Sequence, residues 1–126
     1  WQTRTLNTLV FNHNSLASLS NNRFTLPAGT YCIDWDAPAY GVGYHKTALY
    51  NYSTSVIIAY GTSEFSPYST ENSTNKSCGT VVITINDSTS FEIRHICTIT
   101  FNTTGLGKST NLGTEVYTRV RIKKIS

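Results

Sequence analysis

The chain has 126 residues, 13% of them charged and 12% aromatic, with a formal net charge of +3. A domain of this length buries about two-thirds of its unfolded surface, so one core is available and one domain is expected. Low charge with abundant Tyr, Thr and Val excludes a disordered chain. No apolar run reaches the roughly 20 residues of a membrane span, and no charged segment followed by an apolar one opens the chain.

Strand follows strand along the chain. The predicted strands are Thr5 to Phe11, Arg23 to Leu26, Thr30 to Trp35, His45 to Tyr52, Val56 to Gly61, Thr80 to Asn86, Phe91 to Phe101 and Glu115 to Ile125. Turn chemistry separates them at Pro27-Ala28-Gly29, at Ala37-Pro38-Ala39 with Gly41 and Gly43, at Asn86-Asp87-Ser88, and in the Gly105 to Gly113 loop. The polar run Ser66 to Ser77 is the longest expected loop. No segment shows a sustained 3.6-residue apolar period with helix caps. Strands at this spacing predict an all-β chain folded as an antiparallel two-sheet β-sandwich of jelly-roll type.

The segments FTLPAGTYCIDW, APAY, HKTALYN, FEIRHIC and EVYTRVRIKKI occur in an order that resembles the C-terminal domain of phage tail fibres and tailspikes. The resemblance covers roughly Phe24 to Ile125. It implies a trimeric knob similar to the C1q/TNF jelly rolls, placed at a fibre tip on the virion. Two functions follow from it as expectations: non-enzymatic attachment to a host-cell glycan or protein receptor, or a structural trimerisation cap on a longer tailspike. A third possibility sharing the fold is an extracellular C1q/TNF-like or lectin-like binding domain. Because the chain starts at Trp1, it reads as a fragment of something longer.

The positive charge is concentrated at one end. Alternation in the last strand puts Arg119, Arg121 and Lys123 on one face and Val116, Thr118, Val120 and Ile122 on the other. A solvated edge that discourages strand addition explains such a stripe, and contact with an anionic polysaccharide is the sharper alternative. Nucleic acid is not an expected partner: the basic residues are not interleaved with aromatics, and no recognition helix is visible.

The three cysteines cannot all pair within one chain. Parity places Cys97 inward with Phe91, Ile93, Ile99 and Phe101, so a free, buried thiol is expected there. Asn-x-Ser/Thr triplets begin at Asn51, Asn72, Asn75, Asn86 and Asn102, and in a chain this rich in Asn, Ser and Thr they arise by chance.

Catalytic patterns are incomplete. The run Asn102 to Ser109 ends in Gly-Lys-Ser but has Asn where a phosphate loop needs its first Gly, and a strand follows instead of a helix. Asp34 and Asp36 share a strand face about 6 to 7 Å apart. That separation alone permits glycoside hydrolysis, but the chain has only seven acidic residues and no evident cleft. Asp36 is kept as a cation or sugar-hydroxyl contact, while Trp35 falls with Tyr31 and Ile33 on the core face. His13 reads as a turn residue. His45 and His95 read as core or subunit-interface residues, with a metal held by the pair as the weaker alternative; no metal or other cofactor is expected. No nucleophile elbow is present, so acyl transfer is rejected and no catalytic residue is assigned.

The remaining constellation is aromatic and polar: Tyr40, Tyr44, Tyr50, Tyr52, Tyr60, Phe65 and Tyr68, mixed with Asn, Ser and Thr. Tyrosine offers an apolar face for the C–H surface of a sugar and a hydroxyl that hydrogen-bonds when wet. Tyr44 and Tyr50 alternate with His45 and Leu49, so one of the two sets faces the core. Tyr40 and Tyr68 are expected in loops, where recognition is commonly carried. Tyr40, Tyr44 and Tyr68, with Asp36, are the candidate ligand-binding residues.

Overall fold

The structure is a computed structural model describing residues 1–126. It is an antiparallel β-sandwich. The strands are β1 (Gln2–Thr3), β2 (Ser18–Ser20), β3 (Arg23–Leu26), β4 (Gly29–Tyr40), β5 (Gly43–Asn51), β6 (Val56–Tyr60), β7 (Glu64–Ser66), β8 (Thr74–Ile85), β9 (Thr89–Cys97) and β10 (Arg119–Lys124), with one 3-10 turn at His13–Ser15. The larger sheet runs β2-β3-β9-β5-β6, with β1 pairing β9 and β7 pairing β5. The smaller sheet is β10-β4-β8.

Alternation determines what lies between the sheets. Tyr31, Ile33 and Trp35 of β4 meet Leu49 of β5, Phe91 and Ile93 of β9, and Phe24 and Leu26 of β3. Val120 and Ile122 of β10 close the cluster from the side, as their parity predicts. Phe24 and Phe91 are register partners and stack with centroids 5.5 Å apart.

Several expected boundaries are corrected. Thr5 to Phe11 is not a strand: it has no pairing partner, and Val10 and Phe11 are 94% and 82% exposed. Ala37 to Tyr40 is not a turn but the last third of β4, paired with Thr74 to Ser77 of β8, so part of the expected Ser66 to Ser77 loop is strand. Pro38 is tolerated because β10 leaves β4 at Asp36. Tyr40 N donates away from β8, to the Gly105 carbonyl. Pro38 has the same backbone parity, so its missing N–H falls on the side with no partner strand.

The final strand begins at Arg119, not Glu115, and β9 ends at Cys97, not Phe101. Glu115 closes the loop before β10, accepting from Ser109 Oγ at 2.8 Å and from the Thr110 amide. These hydrogen bonds, Ser109 first, hold its carboxyl below the usual glutamate range. The β2–β3 hairpin was unforeseen, although Asn21 and Asn22 carry its signal: both have positive φ, as a two-residue primed turn requires.

Candidate functional site

The outer face of the larger sheet bears an open groove of about 610 Å³ lined by residues including Tyr44, Lys46, Glu64, Phe65, Ile96 and Thr98. Strand parity builds it. Tyr44 and Lys46 point away from the core because His45, Thr47 and Leu49 point into it; Ile96 does the same on β9, and Thr98 follows just past its end. Tyr44 and Phe65 are register partners on β5 and β7, with ring centroids 4.8 Å apart and an interplanar angle of 52°. They remain 67% and 50% exposed. The groove thus offers two apolar ring faces on paired strands, with Lys46 and Ser63 among its polar lining residues.

The other candidate residues lie apart from this groove. Tyr40 ends β4 and is half-buried, not in a loop; Lys108 Nζ lies 5.1 Å from its ring centroid and 3.5 Å from its hydroxyl. Tyr68 is in a loop, as expected, and packs on Phe101 at 5.2 Å. The segments carrying the three tyrosines meet at one end of the sandwich, where Gly41 N bonds Ser66 Oγ and Ile99 N bonds the Val42 carbonyl. Each ring nevertheless has its own partner, and the three do not form one aromatic surface.

Asp36 is engaged by the basic stripe. Its carboxylate lies 3.1 Å from Arg121 Nη1, 3.4 Å from Arg119 Nε and 3.8 Å from Lys76 Nζ, and the residue is 5% exposed. Both oxygens therefore already have cationic partners. The register pairs Arg119 with Asp36 and Arg121 with Asp34, so the stripe is partly neutralised by the strand beside it. In this fold Asp36 acts as an internal ion-pair acceptor.

A second buried carboxylate escaped the sequence reading. Glu92, directly opposite Tyr50, faces outward by parity yet is buried. Arg94 Nη2 is 3.0 Å from Oε1, Arg23 Nε is 3.5 Å from Oε2, and Thr3 Oγ1 donates to Oε2 at 3.0 Å. The two guanidiniums lie 3.5 Å over the rings of Tyr50 and Tyr52 and roof the carboxylate. Arg23 Nε makes no true hydrogen bond, so the Arg94 contact is the firmer one.

His45 and His95 are both buried, as expected. His45 Nε2 is 2.6 Å from Asn75 Oδ1. Burial first, then the positive charge of Arg4 and the neighbouring His45, pushes His95 down to about 4. No group of three or more His, Cys, Asp or Glu side chains stands close enough to hold a metal ion. Cys97 is free but only half-buried, its Sγ donating to the Ile99 carbonyl at 3.3 Å. Burial pushes this thiol up, so it stays protonated at neutral pH, the opposite of what a nucleophile needs. Cys32 and Cys78 are also free.

No helix is long and apolar enough to cross a membrane. No family model matches the chain, and neither a curated protein nor a solved structure matches it.

Proposed function

We propose that this domain is a non-enzymatic attachment module that binds a host-surface glycan in the groove flanked by Tyr44 and Phe65, as the tip domain of a trimeric viral fibre would. The observation that carries this proposal is the exposed Tyr44–Phe65 pair held on paired strands beside Lys46. Saturated ring carbons of a sugar stack on such faces, and the flanking polar groups take its hydroxyls. Single sugar contacts are weak, so three copies about one axis would raise avidity by making later contacts intramolecular.

A second role, trimerisation, is favoured by a separate feature. β6 is an edge strand whose outward residues Val56, Ile58 and Tyr60 are exposed, with Trp1 against Tyr60 at 6.1 Å. An apolar edge of this kind suits contact between subunits.

Labelled domain on a glycan array and on whole host cells tests the first role, with light scattering to report the oligomer. Glycan binding that is lost in Tyr44→Ala and Phe65→Ala supports it. A stable trimer that binds no glycan or cell leaves only the trimerisation role, and release of reducing sugar from a bound polysaccharide overturns the non-enzymatic claim.

A further inference from the structure

We propose that the glycan taken by the Tyr44–Phe65 groove is acidic and that Lys46 reads its negative charge; this rests on the attachment role proposed above and narrows its ligand class. Besides Tyr44, four residues lining the groove titrate: His45, Lys46, Glu64 and Cys97. Three of them belong to the other side of the sheet. Glu64, His45 and Cys97 are register partners across β7, β5 and β9, and they alternate with the outward Phe65, Tyr44 and Ile96. His45 Nε2 meets Asn75 Oδ1 at 2.6 Å, and Cys97 Sγ donates to the Ile99 carbonyl. Glu64 shares the inward parity of the buried Ser66. Lys46 is thus the charged lining residue on the face that carries the rings.

Lys46 has no anion of its own. None of the ion pairs in the molecule includes it, and its Nζ stands 4.8 Å from the ring centroid of Tyr60, which is itself 58% exposed. Strand rise sets Lys46 about 6 to 7 Å from Tyr44 along the outer face of β5.

The positive charge continues beyond the groove. Arg94 precedes Ile96 by two residues on the same face of β9, and Arg94 and Arg23 share the single carboxylate of Glu92 while stacking on Tyr50 and Tyr52. Their side chains keep 26% and 29% exposure. A ligand extending from the groove along β5 therefore meets cations in succession and one carboxylate that is already paired. A field of one sign beside apolar rings selects a carboxylated or sulfated sugar over a neutral one. Nucleic acid fits less well, because the Tyr44 and Phe65 rings are tilted by 52° and form no run of parallel stacking platforms.

A glycan array bearing sialylated, uronate-containing and sulfated glycans beside their neutral counterparts is the test, with single-stranded DNA as a further arm. Acidic members should bind the wild-type domain about three- to tenfold tighter than their neutral counterparts. The preference should shrink as salt rises from about 0.05 to about 0.5 M. Lys46→Gln should bring the ratio close to one, and Lys46→Arg should keep it. If Lys46→Gln does not fold, the wild-type ratio and its salt dependence still decide. Glycan binding with no acidic preference, or a preference unchanged in Lys46→Gln, overturns this inference and leaves the attachment role standing. Binding to no glycan, acidic or neutral, removes the attachment role and this inference with it, and tighter binding to DNA than to any acidic glycan overturns it in favour of a nucleic-acid partner.

Discussion

Trp35 Nε1 donates to Thr47 Oγ1 across 2.8 Å and thereby ties the smaller sheet to the larger through the middle of the core. Thr47 Oγ1 also lies 2.9 Å from Ser77 Oγ, which in turn donates to the Thr62 carbonyl at 2.7 Å. With the Thr47 amide donating to Ser77 Oγ at 3.0 Å, one indole, two hydroxyls and two backbone groups thus satisfy each other in the core. Thr47→Val keeps the shape but leaves the indole N–H unpaired, at a cost of about 1 to 3 kcal/mol. Urea unfolding should show that loss, with Thr47→Ser retaining more of the wild-type stability than Thr47→Val. Equal stability of wild type and the valine variant would mean that the indole finds another acceptor.

The polar tie was not legible in the sequence, whereas the core around it was. Period-two alternation places Tyr31, Ile33 and Trp35 inward, and it places His95 with Ile93. It fails where neighbours decide. Thr5 to Phe11 has strand-like composition but no strand to pair with, and Pro38 reads as a turn unless the side from which β10 is missing is known. Glu92 and Arg4 are missed for a related reason. Charged residues are expected outside, and only the folded arrangement shows Arg23 and Arg94 roofing the one and Leu106 and Thr118 enclosing the other. Of the candidate ligand residues, Tyr44 lines the groove, while Phe65, one of the aromatic constellation but not a candidate, becomes significant only through its register with Tyr44.

The His95 environment predicts an acid-side loss of stability. Its folded-state value, down to about 4 from an ordinary 6.5, means that the unfolded chain takes up the proton first as pH falls. Stability from this group is therefore fully present above pH 6.5 and is lost progressively between 6.5 and about 4. The total is on the order of 3 kcal/mol. Unfolding free energies of wild type and His95→Gln should diverge in slope over this interval and run parallel above it. Parallel curves throughout would mean that His95 is protonated as readily in the fold as outside it.

Glu92 predicts a different signature. Glu92→Gln preserves shape and one acceptor but strips the charge that holds Arg23 and Arg94 over Tyr52 and Tyr50. Both arginines retain partial solvent access, which limits the penalty to about 1 to 3 kcal/mol, below that of a fully buried pair. Glu92→Gln combined with Arg94→Gln should cost less than the sum of the single changes. Chemical denaturation of the four species measures that coupling, and strict additivity would rule out a direct Glu92–Arg94 interaction.

Tyr44 and Phe65 predict loss of binding without loss of fold. Both rings are at least half exposed, and neither belongs to the core cluster, so replacing either by Ala should change stability by less than about 1 kcal/mol. Each should weaken glycan binding about tenfold if one ring contributes roughly 1.4 kcal/mol of stacking. Because the rings touch, the double variant should lose less than the product of the two single losses. Tyr40→Ala and Tyr68→Ala, whose rings rest against Lys108 and Phe101 outside the groove, should bind nearly as wild type. Titration calorimetry with the best glycan from an array measures the five variants against wild type. Strong loss in Tyr40→Ala or Tyr68→Ala with full retention in Tyr44→Ala would move the binding surface from the groove to the loop end of the sandwich.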